Sequence, residues 1–172
     1  MDLKSKFRHV ADFPKEGIDF IDITTVLNDK DAFREAIDRL SEETEKLGCD
    51  VVIGSEARGF ILGAAVAYKL GLRFVPVRKI GKLPYKTIRG TYDLEYGTDT
   101  LEMHIDAVNK GDKVALVDDL LATGGTISCV SDMVNELGGK IMGAVFLVEL
   151  KELPGRKILE EKGINVKSIV EI

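Results

Sequence analysis

The stretch Val114-Ala115-Leu116-Val117-Asp118-Asp119-Leu120-Leu121-Ala122-Thr123-Gly124-Gly125-Thr126 constrains the fold most, because it joins two different periodicities through one short turn. Residues 114–117 are a continuous apolar run with the length and branching of a strand buried on both faces. From Ile127 the apolar spacing becomes helical, through Val130, Met133, Val134 and Leu137. A buried strand feeding straight into an amphipathic helix is half of a strand–helix–strand unit, which belongs to a parallel sheet covered by helices. The pattern recurs: 51–53 is a short apolar strand, 54–59 a turn and 60–70 a helix, while 73–78 and 143–149 read as further strands and 166–170 as an edge strand. Upstream, Asp29 and Asp31 open a helix marked by Phe33, Ala36, Ile37, Leu40, Thr44 and Leu47, which stops at Gly48. The fold class is therefore α/β, a mostly parallel twisted sheet with helices on both faces. With 172 residues, 45% of them hydrophobic, residues 1–172 read as one domain with one well-buried core.

Two segments fall outside the alternation. Residues 1–27, and above all 11–27 with Phe13, Pro14, Gly17 and Phe20, read as a small N-terminal lid rather than a full strand or helix. Residues 80–104 mix Gly81, Pro84, Gly90 and Gly97 with Thr87, Ile88, Thr91, Tyr92 and Tyr96, the composition of a protruding, flexible loop or hairpin over a site.

Composition excludes several classes. The N-terminus is polar and charged without an apolar export segment, and the longest apolar stretch, 60–67, falls far short of the roughly 20 residues that cross a bilayer. A cytoplasmic protein without membrane attachment is expected. Cys49 and Cys129 are far apart, with no CxxC spacing and no histidine cluster, so neither a disulfide framework nor a metal site is expected. His9 and His104 are isolated and read as structural or solvated. The net charge of −5 hides an asymmetry: Arg58, Lys69, Arg73, Arg78, Lys79, Lys82, Lys86 and Arg89 lie within 57–92 without one acid, while the rest of the chain holds 16 cations against 29 acids. One basic segment in an acidic chain suits a small polyanion, not nucleic acid, whose phosphates need a more extended basic face.

The strand–turn–helix motif also carries chemistry. Glycines leave backbone N–H groups uncovered, and a first helical turn offers unsatisfied donors at the positive dipole end. Ala122, Thr123, Gly124, Gly125 and Thr126 therefore form a phosphate cradle, to which the threonines add hydroxyls. Asp118 and Asp119 would repel that phosphate unless they face hydrogen-bond donors or a cation, and a ribose diol and a hydrated Mg²⁺ both fit. Strand alternation points the two acids to opposite sides, so only one meets a given hydroxyl. In open α/β sheets ligands bind beyond the carboxyl ends of the strands, and the turns after Ile53 and Val117 both lie there, which puts Arg58 and 118–126 on one rim. Neither GxGxxG nor GxxxxGK[ST] occurs, which removes the usual support for dinucleotide or nucleoside triphosphate binding.

The acid pair and Thr-closed loop resemble the signature of the type I phosphoribosyltransferases, and the wording of residues 118–126 is similar to the adenine branch of that family. Phe13-Pro14-Lys15-Glu16-Gly17, Phe20-Ile21-Asp22-Ile23, Ser55-Glu56-Ala57-Arg58-Gly59-Phe60, Arg78-Lys79-Ile80-Gly81-Lys82-Leu83-Pro84 and Leu94-Glu95-Tyr96-Gly97 agree in order and spacing, so the resemblance spans nearly the whole chain. It implies transfer of a phosphoribosyl group from phosphoribosyl pyrophosphate to adenine, giving AMP and pyrophosphate, in a homodimer. It implies that the cradle holds the 5′-phosphate, that Asp118 and Asp119 hold the ribose hydroxyls, and that the turn Glu56-Ala57-Arg58 holds pyrophosphate. Arg58 is the first choice for stabilising the leaving group, with Arg78, Lys79 and Lys82 next. Mg²⁺ is implied as a cofactor held mainly by substrate and water, without direct protein ligands. Adenine is implied between Phe20 and Leu120, read by main-chain groups at Asp19 and Ile21; the family often has a basic residue where Ile21 stands, so only the main-chain contact carries over. Glu95, beside Tyr96 in the flap, is implied as the acid/base at the purine ring.

Two other functions share the motif. A sister transferase acting on a 6-oxopurine has the same phosphate cradle, and a regulator of this fold senses the ligand without chemistry. The latter normally carries a DNA-binding module, and no basic recognition helix occurs in the roughly 27 residues before the first helical pattern.

Overall fold

The computed structural model describes residues 1–94 and 97–172. A short N-terminal ribbon, β1 (Arg8–Ala11) and β2 (Asp19–Asp22), pairs antiparallel, and one helical turn, α1 (Thr24–Leu27), leads into α2 (Lys30–Glu45). There follow β3 (Val51–Ser55), α3 (Arg58–Leu70), β4 (Arg73–Lys79), β5 (Thr87–Asp93), β6 (Thr98–His104), β7 (Lys113–Leu121), α4 (Gly125–Glu136), β8 (Lys140–Glu149), α5 (Gly155–Glu161) and β9 (Val166–Glu171). The main sheet has the order β5-β6-β4-β3-β7-β8-β9. Its five strands from β4 to β9 are parallel, and β6 and β5 add antiparallel at one edge.

Two apolar layers flank the sheet. On one face Leu116, Phe146, Val130, Met133 and Val134 pack with Leu159 beneath α4 and α5. On the other, Val52, Val117, Val145 and Leu147 meet Ala36, Ile37, Leu40, Leu62 and Val66 of α2 and α3, with Leu3, Phe7 and Ile21 from the N-terminal segment. Val117 and Leu116 go to opposite layers, as strand alternation requires. The predicted Asp29 start is observed: its carboxylate accepts the N–H groups of Asp31 and Ala32 at 3.0 and 3.1 Å and pairs with Lys6 at 2.9 Å, which fastens the N-terminal segment to α2. No helix among the described residues is long and apolar enough to cross a membrane.

The structure corrects the reading of both irregular segments. Residues 11–27 contain β2 and α1 and are not without regular structure. Residues 80–104 do not stand outside the sheet, because β5 and β6 pair from Thr87↔His104 to Asp93↔Thr98 and continue it. The period-2 pattern of β5 is carried by Ile88, Gly90 and Tyr92, and the glycine hid it from an apolar count. Gly90 is there because an added Cβ would stand 2.5 Å from Cys129 Sγ and 2.9 Å from Met133 Sδ, so α4 lies directly on the strand. A third correction concerns β7, which does not end at Val117. Its pairing with β8 runs through Asp118↔Phe146 to Leu121↔Glu149, so both acids belong to the strand.

Gly90→Ala is expected to force β5 and α4 apart and cost about 1–3 kcal/mol, the usual range for overpacking, in chemical denaturation. A variant as stable as the wild type would show that the contact relaxes freely.

Candidate active site

The sheet order places its switch point between β3 and β7. From β3 the chain proceeds to β4 on one side, and from β7 to β8 on the other. The two strands pair from Val51↔Val114 to Ile53↔Leu116, and the ladder stops there. Beyond it Ser55 Oγ donates to Asp118 Oδ2 at 3.2 Å. The Glu56–Ala57 peptide is cis, and α3 begins at Arg58. The helix folds back closely: a Cβ on Gly54 would stand 2.6 Å from the Gly59 carbonyl oxygen, and one on Gly59 would stand 2.6 Å from Asp118 Oδ1. Neither glycine has room for a side chain.

The acids take different partners. Asp118 is buried, bonded to Ser55, and its Oδ1 accepts the Asp119 N–H at 2.9 Å. Burial pushes its carboxyl well above the usual carboxylate range, and the charge of Asp119 pushes in the same direction. Asp119 pairs through Oδ2 with Arg58 Nε at 2.6 Å. The Arg58 guanidinium carbon lies 5.5 Å from the centroid of Phe20, whose ring meets Phe13 edge-on at 5.1 Å. The acid pair, the turn after β3 and the N-terminal ribbon thus form one connected group.

The cradle is the amino end of α4. Gly124 precedes the helix at φ 80°, a conformation that suits glycine, and no side chain caps the helix. Its first amides are therefore left for an anion, unlike those of α2, which Asp29 occupies. Gly155, which the sequence reading passed over, supports the cradle from behind. Its N–H donates to the Ala122 carbonyl at 3.0 Å, and a Cβ there would stand 2.4 Å from that oxygen. Arg156 then ties α5 to β8 and β9 through Glu149 at 2.6 and 2.8 Å, while Ser168 also donates to Glu149. Tyr92, also missed, flanks Gly125 from the hairpin. Neither residue has a local signal, since only the folded sheet brings them to the loop.

A cleft of about 410 Å³ lies between Tyr92, Leu120, Ala122, Thr123, Gly124, Gly125 and Thr126, and a smaller one of about 180 Å³ between Ser55, Glu56, Ala57, Arg58, Gly59 and the acid pair. Asp118, Leu120 and Thr126 line both, which makes them neighbouring halves of one site. A larger open cleft of about 750 Å³ near Arg156 is lined by cations already paired, Arg156 with Glu149, Lys151 with Glu171 and Lys157 with Glu161. It offers no concentrated charge to a ligand.

Not every expected residue reaches the clefts. Arg78 donates to Glu56 at 2.8 Å and lies 6.0 Å from the Phe60 ring centroid, Lys79 pairs with Asp99, and Lys82 is exposed on the turn after β4; none of the three lines either half. Asp19 is exposed and bonded to His9 at 2.7 Å, and the Ile21 side chain is buried in the core, so only its backbone is offered to a ligand. Glu95 and Tyr96 lie outside the described residues.

A crevice at the switch point, an acid pair facing an arginine and an uncapped helix end beside them match the place where open α/β sheets take their ligands. Comparison with known proteins agrees. The phosphoribosyl transferase domain profile matches residues 23–170. The adenine phosphoribosyltransferase of Acetivibrio thermocellus is 60% identical over 172 residues, 99% of both chains. The solved adenine phosphoribosyltransferase of Thermoanaerobacter pseudethanolicus superposes with a TM-score of 0.96 at 49% identity, covering 99% of this chain and 98% of that one. The enzyme of Saccharomyces cerevisiae, solved with an imino-altritol bisphosphate and adenine, gives 0.90 at 35% identity, covering 98% and 96%. The chain belongs to the phosphoribosyl transferase family, in its adenine phosphoribosyltransferase branch.

Because Asp118 is held above its ordinary pKa of 3.8, its ionised form costs stability once the pH exceeds that value, and the cost disappears below it. Asp118→Asn is therefore expected to melt higher than the wild type near pH 8, with the gap closing in acid. A variant that melts lower at every pH would contradict this.

Proposed function

We propose that this chain salvages adenine, transferring the 5-phosphoribosyl group of phosphoribosyl pyrophosphate to the purine and releasing AMP and pyrophosphate. The observation that supports the reading is the junction of the two clefts at Asp118, Leu120 and Thr126, which brings the uncapped end of α4 and the acid pair side by side. In the reaction the bond from C1′ to the pyrophosphate oxygen breaks with its electron pair leaving on pyrophosphate, a bond to the purine nitrogen forms, and that nitrogen loses its proton.

Each part has a candidate. The first amides of α4 and the hydroxyls of Thr123 and Thr126 receive the 5′-phosphate, and Asp118 and Asp119 receive the ribose hydroxyls. Arg58 and the backbone at Glu56 and Ala57 face the departing pyrophosphate, with Arg78, Lys79 and Lys82 as further cations on that rim. Phe20 and Leu120 are the proposed walls for adenine. The two-stranded ribbon supports this, because among the described residues β2 pairs with β1 alone and one of its edges is left without a strand. Glu95 is proposed to move the proton at the purine ring, on the strength of the family pattern.

Mg²⁺, when bound, neutralises charge on the departing pyrophosphate. By the family pattern its ligands would be chiefly substrate oxygens and water beside the acid pair. A cytoplasmic homodimer is proposed as well. Ile61, Ala64 and Tyr68 lie exposed along one face of α3, with Tyr68 90% accessible, and this apolar stripe suits a second copy.

Turnover with adenine, hypoxanthine, guanine and xanthine tests the base. Adenine is expected to be strongly preferred, and an equal or faster rate with a 6-oxopurine would replace it. Asp119→Asn and Arg58→Ala are expected to cut turnover about 10²–10³-fold with little change in melting temperature, the scale of a lost transition-state donor. Glu95→Gln keeps the shape but not the ionisable proton and is expected to lose ~10²-fold or more; an unchanged rate in any of the three rejects that residue's role.

A further inference from the structure

A chain of polar contacts runs from Thr126 in the cradle to Lys79, and its middle members, Tyr92 and Asp99, have no part in the steps above. A Cβ on Gly125 would stand 3.3 Å from Tyr92 Cδ2, and the Tyr92 hydroxyl accepts from Thr126 Oγ1 at 3.3 Å and donates to Asp99 Oδ2 at 3.2 Å. That same carboxylate is the ion-pair partner of Lys79, and its other oxygen accepts the Thr100 N–H at 2.9 Å. Lys79 is the last residue of β4, one place beyond Arg78, which reaches the pyrophosphate turn at Glu56. Strand alternation turns its ammonium to the other face from Arg78, onto the hairpin, where Asp99, Tyr92 and Thr126 connect it to the cradle.

The pair is built to exchange. The Lys79 and Asp99 side chains are 42% and 23% exposed, so water screens them and little free energy is lost when they part. When the lysine leaves, Asp99 keeps the Tyr92 hydroxyl and the Thr100 amide and is not stranded. Because Asp99 also anchors Tyr92 against the cradle, the hairpin and α4 keep their register while the lysine moves.

We propose that Asp99 is a positioning residue that holds Lys79 in reserve, standing in for substrate phosphate until the pyrophosphate of the phosphoribosyl donor takes the ammonium from it. The inference rests on the phosphoribosyl transfer proposed above and adds an internal competitor to it.

The test is steady-state kinetics of the full chain with Mg²⁺, adenine and phosphoribosyl pyrophosphate, for the wild type, Asp99→Asn, Lys79→Ala and the double variant. Asparagine keeps one acceptor, for Tyr92, and removes the charge together with the second acceptor that Thr100 uses. Asp99→Asn is expected to lower the KM for phosphoribosyl pyrophosphate about two- to fivefold, the scale of a half-exposed ion pair, and to leave the KM for adenine in place. Lys79→Ala is expected to raise the first KM, and in that background Asp99→Asn should change nothing further. The proposal is overturned if the KM for phosphoribosyl pyrophosphate in Asp99→Asn rises or stays put, or if it falls equally without Lys79. A purely structural Asp99 would instead lower the melting temperature and raise both KM values, which also overturns it. Should Asp99→Asn fold poorly, Asp99→Ser keeps an uncharged acceptor and carries the same expectation. Wild-type protein that neither turns over nor binds phosphoribosyl pyrophosphate by calorimetry removes the transfer reading and this one together, a result distinct from any variant effect.

Discussion

The burial of Asp118 is the contact on which the site is built. Removing a carboxylate from water is costly, and here the cost is met only in part, by one hydroxyl and one amide. What the arrangement gains is order. Gly59 lets α3 close over Asp118; Asp118 fixes the amide of Asp119; Asp119 holds Arg58; and Arg58 lies against the ring of Phe20. A single line of contacts thus runs from the middle of the sheet to the N-terminal ribbon. Filling the space at Gly59 would disturb each later contact in turn, although that residue has no chemistry of its own.

The cradle is supported in a different way. Its donors are backbone amides, which cannot be swapped by changing a side chain, so the protein must fix the path of the chain instead. Gly155 meets Ala122 from behind, close enough that no side chain fits between them, and Tyr92 covers Gly125 from the hairpin. The Arg156–Glu149 pair keeps α5 seated, and Arg89, Thr87 and Gly81 converge on the buried Glu102 to hold the hairpin. These donors keep the Glu102 carboxyl below its ordinary range, Thr87 contributing most. Preorganisation at the phosphate site is therefore distributed over four strands and two helices.

What the sequence disclosed follows the range of the interactions. The strand–turn–helix units at 51–70 and 114–137 were legible because periodicity and turn residues are local, and the rim that unites Arg58 with 118–126 followed from a general rule of parallel sheets. The extension of β7 through the acids was not legible, because it depends on the length of β8. A hairpin was among the expectations for 80–104, but its place in the main sheet was not legible, because glycine at 90 reflects the proximity of α4, a tertiary fact, and resembles loop composition when seen alone. Helix α5 and Gly155 gave no signal at all: seven residues hold too little periodicity, and the reason for the glycine lies about thirty residues upstream at Ala122. The resemblance to a family named substrates and roles that physical reasoning alone left open between a ribose diol and a metal.

For the proposed transfer, three ion pairs would let an acidic chain receive a polyanion without attracting every anion. Arg58, Arg78 and Lys79 each lie on a carboxylate, those of Asp119, Glu56 and Asp99. A monovalent ion would have to displace a carboxylate already at contact distance and would gain one cation for it. A pyrophosphate brings several charges on one rigid frame, so after the first exchange the others proceed at high effective concentration. Selectivity then comes from the difference between these two cases and not from the strength of any single contact. In a chain of net charge −5 these three pairs would hold cations against acids that a ligand with matching charge spacing could replace together.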